Sequence, residues 1–80
     1  MKYDLFKEVV LLRDIPEKKL KKGDVVTIVD HHPAANSEDG YSLEVFNALG
    51  ETIAVVTVAE SEIETLKESE VFSVRSLEAA

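Results

Sequence analysis

The sequence predicts an all-β protein that forms a single domain over residues 1–80. Short runs rich in Val, Ile and Thr are separated by loop-forming residues, as in the strands of a small sheet. Residues 41–46 alternate apolar and polar side chains, which is typical of a strand with one buried face. Eighty residues leave room for one hydrophobic core, and the absence of cysteine excludes disulfides and thiolate metal sites.

The first predicted strand covers residues 8–12 and leads into a long loop. Pro16 cannot donate a hydrogen bond within a sheet, so the strand is expected to end before it. Ile15 and Leu20 are the only apolar residues of the loop that follows, and we expect them to anchor it to the core. Gly23 is expected either to adopt a positive φ or to allow a close backbone approach where the chain re-enters the sheet.

Three further strands are predicted in the middle of the chain. The second covers residues 24–30 and is apolar on both faces, which favours a strand that bends across a closed barrel. Residues 31–40 read as a loop by composition. Residues 41–46 and 52–58 form a hairpin, and the intervening Asn-Ala-Leu-Gly fits a type I turn with Gly50 in the left-handed region.

A short helix is predicted at about residues 61–68, before the last strand. Ser61 and Glu64 have the spacing of a capping box, in which each side chain accepts a hydrogen bond from a free backbone amide. Residues 71–74 are β-branched or aromatic in three of four positions and are predicted to close the sheet. This order of elements predicts a small SH3-like five-stranded barrel, an architecture that serves mostly as an adaptor.

Four segments of the chain resemble a known family. Residues 6–11, 14–17, 20–29 and 54–63 are similar to the small bacterial domain-of-unknown-function family 4926. The resemblance implies an SH3-like fold and a protein-neutralising or accessory role, because members are typically encoded beside small genes of toxin–antitoxin character. It supplies no catalytic residues, and Val26 departs from the small residue expected after Gly-Asp-Val.

The distribution of charge points to a basic protein as the partner. The net charge is −7, and residues 38–70 contain nine acidic residues but only one basic residue, Lys67. Such a segment repels phosphate backbones, so neither nucleic acid nor an anionic membrane is expected as a partner. The leading hypothesis is a non-enzymatic protein-binding module, antitoxin-like or accessory. Its candidate partner-binding residues are Glu38, Asp39, Glu44, Glu60, Glu62, Glu64 and Glu68.

Two alternatives belong to other classes of protein. Residues 23–29 are also similar to the ribosome-associated KOW motif, which would make the lysines at 18, 19, 21 and 22 an RNA-binding surface. A structural homo-oligomer, joined through exposed strand edges or Phe46, is the second alternative. The aromatic candidates for an exposed peptide groove are Tyr3, Phe6, Tyr41 and Phe46, but without tryptophan a proline-rich ligand is not expected.

No residue pattern indicates catalysis, a metal or a cofactor. His31 and His32 are adjacent, so on a regular strand they point to opposite faces, and no third ligand is identifiable. The serines lack the glycines of a nucleophile elbow. The longest apolar runs are far shorter than the roughly 18 residues of a membrane-spanning helix. We therefore expect a soluble cytoplasmic protein that is not an enzyme.

Overall fold

A computed structural model of the chain describes residues 2–77 and contains five antiparallel strands in one sheet. Single 3₁₀ turns at Pro16–Lys18 and Glu60–Glu62 are the helical elements of this part of the chain. The predicted all-β class with five strands is therefore confirmed, whereas the likeness to SH3 barrels stays a prediction. The strands are β1 Glu8–Leu11, β2 Val25–His32, β3 Gly40–Phe46, β4 Thr52–Ala59 and β5 Ile63–Thr65.

The spatial order of the strands is β4-β3-β2-β1-β5, so β4 and β5 form the two edges of the sheet. Consecutive strands β1 to β4 pair with their neighbours in the chain, and β5 returns to the far side of β1, where Ile63 pairs with Leu11. The β2–β3 register shifts between Ile28 and Asp30, which bends β2 locally. The first strand is consequently held between the second and the last.

All five strands contribute to one hydrophobic core. Inward-facing residues alternate with more exposed ones in β3, where Tyr41, Leu43 and Val45 are buried, as the sequence pattern predicts. Tyr3, Ile15 and Leu20 lie outside the five strands and add to the core that the inward-facing strand residues form. The other buried apolar residues of this core are Tyr3, Val9, Leu11, Ile15, Leu20, Val26, Ile28, Val56, Val58 and Ile63.

The loop anchors and the turn glycines agree with the sequence predictions. Ile15 and Leu20 are both buried and form an isolated β-bridge with each other, so the β1–β2 loop is fixed to the core. Gly23 has a φ of +95°, and Gly50 has a φ of +83° at the end of the β3–β4 turn. The amide of Gly50 donates to the carbonyl of Asn47 at 3.0 Å, which closes that turn.

Two predictions at the C-terminal end are wrong in position. The helix predicted at residues 61–68 is a single 3₁₀ turn at Glu60–Glu62, and β5 begins immediately after it because Ile63 is buried and pairs with β1. Residues 71–74 form no strand, since the position beside β1 is already occupied by β5. The loop predicted at 31–40 is also shorter, because His31 and His32 continue β2.

The segment after β5 runs irregularly back across the molecule. The Arg75 guanidinium forms an ion pair with Asp24, with Nε 2.9 Å from Oδ1, and donates to the carbonyl of Lys19 at 3.2 Å. Leu77 packs against the core, whereas Val71 and Val74 are almost fully exposed. Within residues 2–77, no helix has the length and apolar character needed to span a bilayer.

Candidate functional site

Four of the predicted carboxylates lie around the second 3₁₀ turn, where β4 ends and β3 begins. We call Glu38, Asp39, Glu60 and Glu62 the carboxylate cluster. The amide of Glu60 donates to the carbonyl of Asp39 at 2.8 Å, which joins the turn to the start of β3. Glu38 accepts hydrogen bonds from the Ser61 amide at 2.7 Å and the Ser61 hydroxyl at 3.0 Å.

Glu60 is held in place by a buried tyrosine. The Tyr41 hydroxyl donates to Oε2 of Glu60 at 2.9 Å and accepts a hydrogen bond from the Tyr3 amide at 3.2 Å. The Tyr3 hydroxyl donates to the carbonyl of Ile63 at 3.1 Å, and the two tyrosine rings meet edge to face. Burial raises the pKa of Tyr41 above its ordinary value, and the neighbouring Glu60 carboxylate acts in the same direction. Tyr3 and Tyr41 are therefore core residues, and their prediction as exposed aromatics is wrong.

Asp39 is held by a histidine from the adjacent strand. Nε2 of His31 lies 2.7 Å from Oδ2 of Asp39, and the amide of Ala34 donates to Oδ1 at 3.1 Å. The hydrogen bond with His31, followed by that from Ala34, lowers the pKa of Asp39 below its ordinary value. The His31 ring also lies 5.1 Å from the ring of Tyr41, its partner in the β2–β3 register.

Glu62 has a different environment from the rest of the cluster. Its Oε1 accepts a hydrogen bond from the Ala59 amide at 2.8 Å, and its Oε2 forms an ion pair with Arg13. The hydrogen bond from Ala59 lowers the pKa of Glu62; burial opposes this shift, and Arg13 adds to it. Glu62 thus stabilises the start of the turn, the role that the sequence pattern assigned to Ser61 with Glu64.

Among residues 2–77, the other three predicted carboxylates share no hydrogen-bond or ion-pair partner with the cluster. Glu44 accepts a hydrogen bond from the Thr52 hydroxyl and is four residues along β3 from Gly40, which corresponds to about 13 Å. Glu64 lies on β5, with its Oε1 3.2 Å from Nζ of Lys67. Glu68 is exposed and has no hydrogen-bond or ion-pair partner among residues 2–77. Four of the seven predicted residues are thus held around the second 3₁₀ turn, and the other three have separate surroundings.

The two histidines have separate partners. While His31 contacts Asp39, Nε2 of His32 lies 2.7 Å from the Ser42 hydroxyl, which in turn is 3.3 Å from the hydroxyl of Thr57. Adjacent strand residues point to opposite sides, as the sequence predicts for this pair. Within the part of the chain that the structure describes, no three His, Cys, Asp or Glu side chains are grouped to bind a metal.

The lysines at positions 18, 19, 21 and 22 lie in the β1–β2 loop and are exposed. Their loop is held through the backbone, since the amide of Lys21 donates to Asp24 and that of Lys22 to Asp14, each at 2.8 Å. This loop precedes β2, whereas His31 and the start of β3 lie at the other end of that strand. The lysines therefore lie at the opposite end of β2 from His31 and the start of β3, while Glu62 reaches their loop through its ion pair with Arg13.

The residues that hold the cluster were less visible in the sequence than the carboxylates. Tyr3 and Arg13 are far from the cluster in the chain, and no local pattern connects them with Glu60 or Glu62. The alternation of apolar and polar residues in β3 does predict that Tyr41 lies on the inner face. The carboxylates could thus be predicted from composition, but their supporting contacts depend on the fold.

The model of the family described as Domain of unknown function (DUF4926) matches residues 5–65 of the chain. This span is well over half of the sequence, includes all five strands and ends with the last residue of β5. No curated protein and no solved structure matches the chain. The matched span and the five strands within it lead to one assignment: the chain belongs to the family Domain of unknown function (DUF4926).

Proposed function

We propose that the protein is a non-enzymatic binding module that docks a basic protein through the carboxylate cluster. The observation that supports this proposal is the way in which the carboxylates are held. Glu38, Asp39 and Glu60 accept hydrogen bonds from amides, hydroxyls and an imidazole, and within residues 2–77 none of the three is paired with Lys or Arg. Their negative charge is therefore available to a partner.

Fixed carboxylates are well suited to binding Lys and Arg side chains. An ionised carboxylate has about four acceptor positions, and each of these three uses only one or two of them in contacts with residues 2–77. Because these side chains are already ordered, they lose less conformational entropy when a partner binds. The negative potential also steers a basic protein towards this end of the sheet and accelerates its association.

An antitoxin-like role is the specific form of this proposal. A small acidic module that covers the basic site of a cognate protein neutralises that protein without catalysis. The charge of residues 38–70, with nine acidic residues against Lys67, supports such a contact. In this proposal the protein is a cytoplasmic protein of bacteria, and its partner carries the basic residues that the cluster recognises.

The test compares two variants that change the net charge equally. The cluster variant carries Glu38→Gln, Asp39→Asn and Glu60→Gln, which neutralise three charges and retain side-chain oxygens as acceptors. The control carries Asp4→Asn, Glu8→Gln and Glu17→Gln, at exposed carboxylates with no partner among residues 2–77. The binding partner is captured with the wild-type protein from lysate of its host at low salt, identified by mass spectrometry and then purified.

The dissociation constant of that partner is measured for all three proteins over a range of salt concentrations. We expect the cluster variant to bind at least about tenfold more weakly, with a smaller dependence on salt, and the control to bind as the wild type does. Equal weakening by both variants would mean that only net charge matters. No change in either would exclude the carboxylate cluster as the binding surface.

The same capture experiment distinguishes the RNA-binding alternative. RNA in the captured material, and a gel shift lost when Lys18, Lys19, Lys21 and Lys22 become alanine, would contradict the proposal and favour the KOW-like interpretation. The far larger number of acidic residues beyond residue 37 makes that result unexpected.

A further inference from the structure

The two edges of the sheet differ in how they are protected from pairing with other strands. The β5 edge is three residues long and contains the charged Glu64. The β4 edge is eight residues long, Thr52–Ala59, and contains neither a charged residue nor a proline. Short length, charge and proline are three of the features that prevent edge strands from associating, and β4 has none of these three. The β3–β4 register does shift at Ile53, near the start of the strand, and the residues beyond it pair regularly with β3.

The outer side of β4 has unused hydrogen-bonding capacity. Its only neighbour in the sheet is β3, and within residues 2–77 no backbone hydrogen bond reaches it from any other segment. The Ala59 amide is bound by Glu62, at the very end of the strand. Alternate residues of an antiparallel strand direct their amide and carbonyl groups to opposite sides, so about half of those in β4 point to the open edge.

The solvent-facing side chains of β4 are also apolar. Val55 is 53% exposed and Ile53 is 40% exposed, while the alternate residues Val56 and Val58 are buried in the core. Phe46, the partner of Thr52 across the hairpin, is 41% exposed beside them. A strand that pairs with β4 would therefore gain backbone hydrogen bonds at the open edge and would bury apolar side chains on the outer face.

We propose that β4 pairs antiparallel with β4 of a second copy of the chain, across a twofold axis. The argument for a second copy rests on charge. Residues 52–59 are the longest run without an ionisable side chain in a protein of net charge −7. Two such molecules repel each other wherever acidic residues meet, and β4 is the strand at which they can approach with least repulsion.

The alternation of β4 restricts the register of this pairing. Residues directly opposite each other in an antiparallel pair place their side chains on the same face. The solvent-facing sides of the two sheets therefore form one continuous face only if outward-pointing residues of one β4 lie opposite outward-pointing residues of the other. Placing Val55 opposite Val55 of the second copy meets this condition, with each Ile53 opposite Thr57. In this register the pairing that is free of charge covers residues 52–58, because Ala59 falls opposite Glu51 of the second copy.

Glu44, the carboxylate beside Val55 on the outer face, does not prevent this arrangement. Glu44 lies beside Val55 on β3, so the two copies of Glu44 are three strand spacings apart, about 14 Å. This separation exceeds the Debye length of about 8 Å at physiological ionic strength, so their repulsion is largely screened.

The experiment measures the mass of the full chain by sedimentation equilibrium from about 1 μM to about 1 mM. We expect a reversible shift from 8.9 kDa towards twice that mass as the concentration rises. The test variant is Val55→Lys, which places two positive charges side by side on the axis at a position exposed in the monomer. The matched control is Val74→Lys, at a residue that is 99% exposed and outside the sheet.

We expect Val55→Lys to stay monomeric with an unchanged circular dichroism spectrum, and Val74→Lys to associate as the wild type does. Amide exchange of the wild type should slow in β4 alone as the concentration rises. The proposal is overturned if the wild-type mass stays at 8.9 kDa throughout or if Val55→Lys still associates. Loss of association in Val74→Lys would overturn it too, because the irregular segment after β5 would then form the contact.

Discussion

At the scale of single residues, Tyr41 connects the core with the carboxylate cluster. Its ring is fully buried among the core residues, while its hydroxyl lies between the Tyr3 amide and the Glu60 carboxylate. One side chain thereby links β3, the N-terminal segment and the second 3₁₀ turn. A phenylalanine in its place would fill the same volume but would leave two hydrogen bonds unmade.

We predict that Tyr41→Phe destabilises the protein by about 1–3 kcal/mol, because the Tyr3 amide loses its acceptor where water has little access. The free energy of unfolding is measured by urea denaturation. Tyr3→Phe is the matched control, since the Tyr3 hydroxyl makes one hydrogen bond, to Ile63, and its loss should cost about 1 kcal/mol. Equal costs for the two variants would contradict the role given to the Tyr41 hydroxyl.

At the scale of elements, the sequence is most informative where a strand has a regular pattern and a clear end. The strict alternation of residues 41–46 predicted β3 and its buried face, and Gly50 marked the turn that follows. The last strand could not be found in this way. Ile63–Thr65 is too short to show a period, and only its pairing with β1 makes it a strand.

The error at residues 71–74 has a related physical cause. Val71, Phe72 and Val74 have high intrinsic preference for strands, but a strand also needs an open edge within reach. The edge beside β1 is occupied by β5, and the Arg75–Asp24 ion pair holds the end of the segment beside the start of β2. Residues 71–74 therefore have a high intrinsic preference for β structure but no free strand edge with which to pair.

The loop that leads into β2 allows a test of backbone conformation alone. No atom lies within 4 Å of a Cβ built on Gly23, but its φ of +95° is unfavourable for other residues. We predict that Gly23→Ala lowers the free energy of unfolding by about 1–2 kcal/mol, measured by urea denaturation. Gly40→Ala is the control, because Gly40 lacks a positive φ and its Cβ would be 3.5 Å from the nearest atom, an ordinary contact. A Gly40→Ala cost as large as that of Gly23→Ala would contradict the assignment.

At the scale of the whole molecule, composition predicted an acidic surface but not its shape. The seven candidate carboxylates are among the nine acidic residues of the segment 38–70. The fold gathers four of them, since the ends of β3 and β4 meet at the second 3₁₀ turn. Glu44, Glu64 and Glu68 could not be separated from the others in advance, because their positions depend on the register of strands that are distant in sequence.

The acid stability of the whole fold should depend on Asp39. Its lowered pKa means that the folded state binds this proton less readily than the unfolded state. The resulting stabilisation is complete above about pH 4 and is lost as the pH falls through the lowered pKa. We predict that Asp39→Asn is less stable than the wild type at pH 7 and loses less of its stability on acidification, as measured by urea denaturation at several pH values.

Asp4→Asn is the control for this titration, because Asp4 has no hydrogen-bond or ion-pair partner among residues 2–77. Its stability should follow that of the wild type across the same range of pH. A parallel loss of stability in Asp39→Asn and the wild type would show that the contact with His31 does not stabilise the fold.

The hydrogen bond from the Tyr3 hydroxyl to the carbonyl of Ile63 joins residues 60 positions apart. β1 pairs with β2 and with β5, and β5 follows β1 in the sequence only after β2, β3 and β4. Bringing such distant segments together costs loop-closure entropy before any contact compensates for it. β2, β3 and β4 pair with strands that follow one another in the sequence, so they have a kinetic advantage in folding. The contacts between the two ends of the sequence then complete the native state.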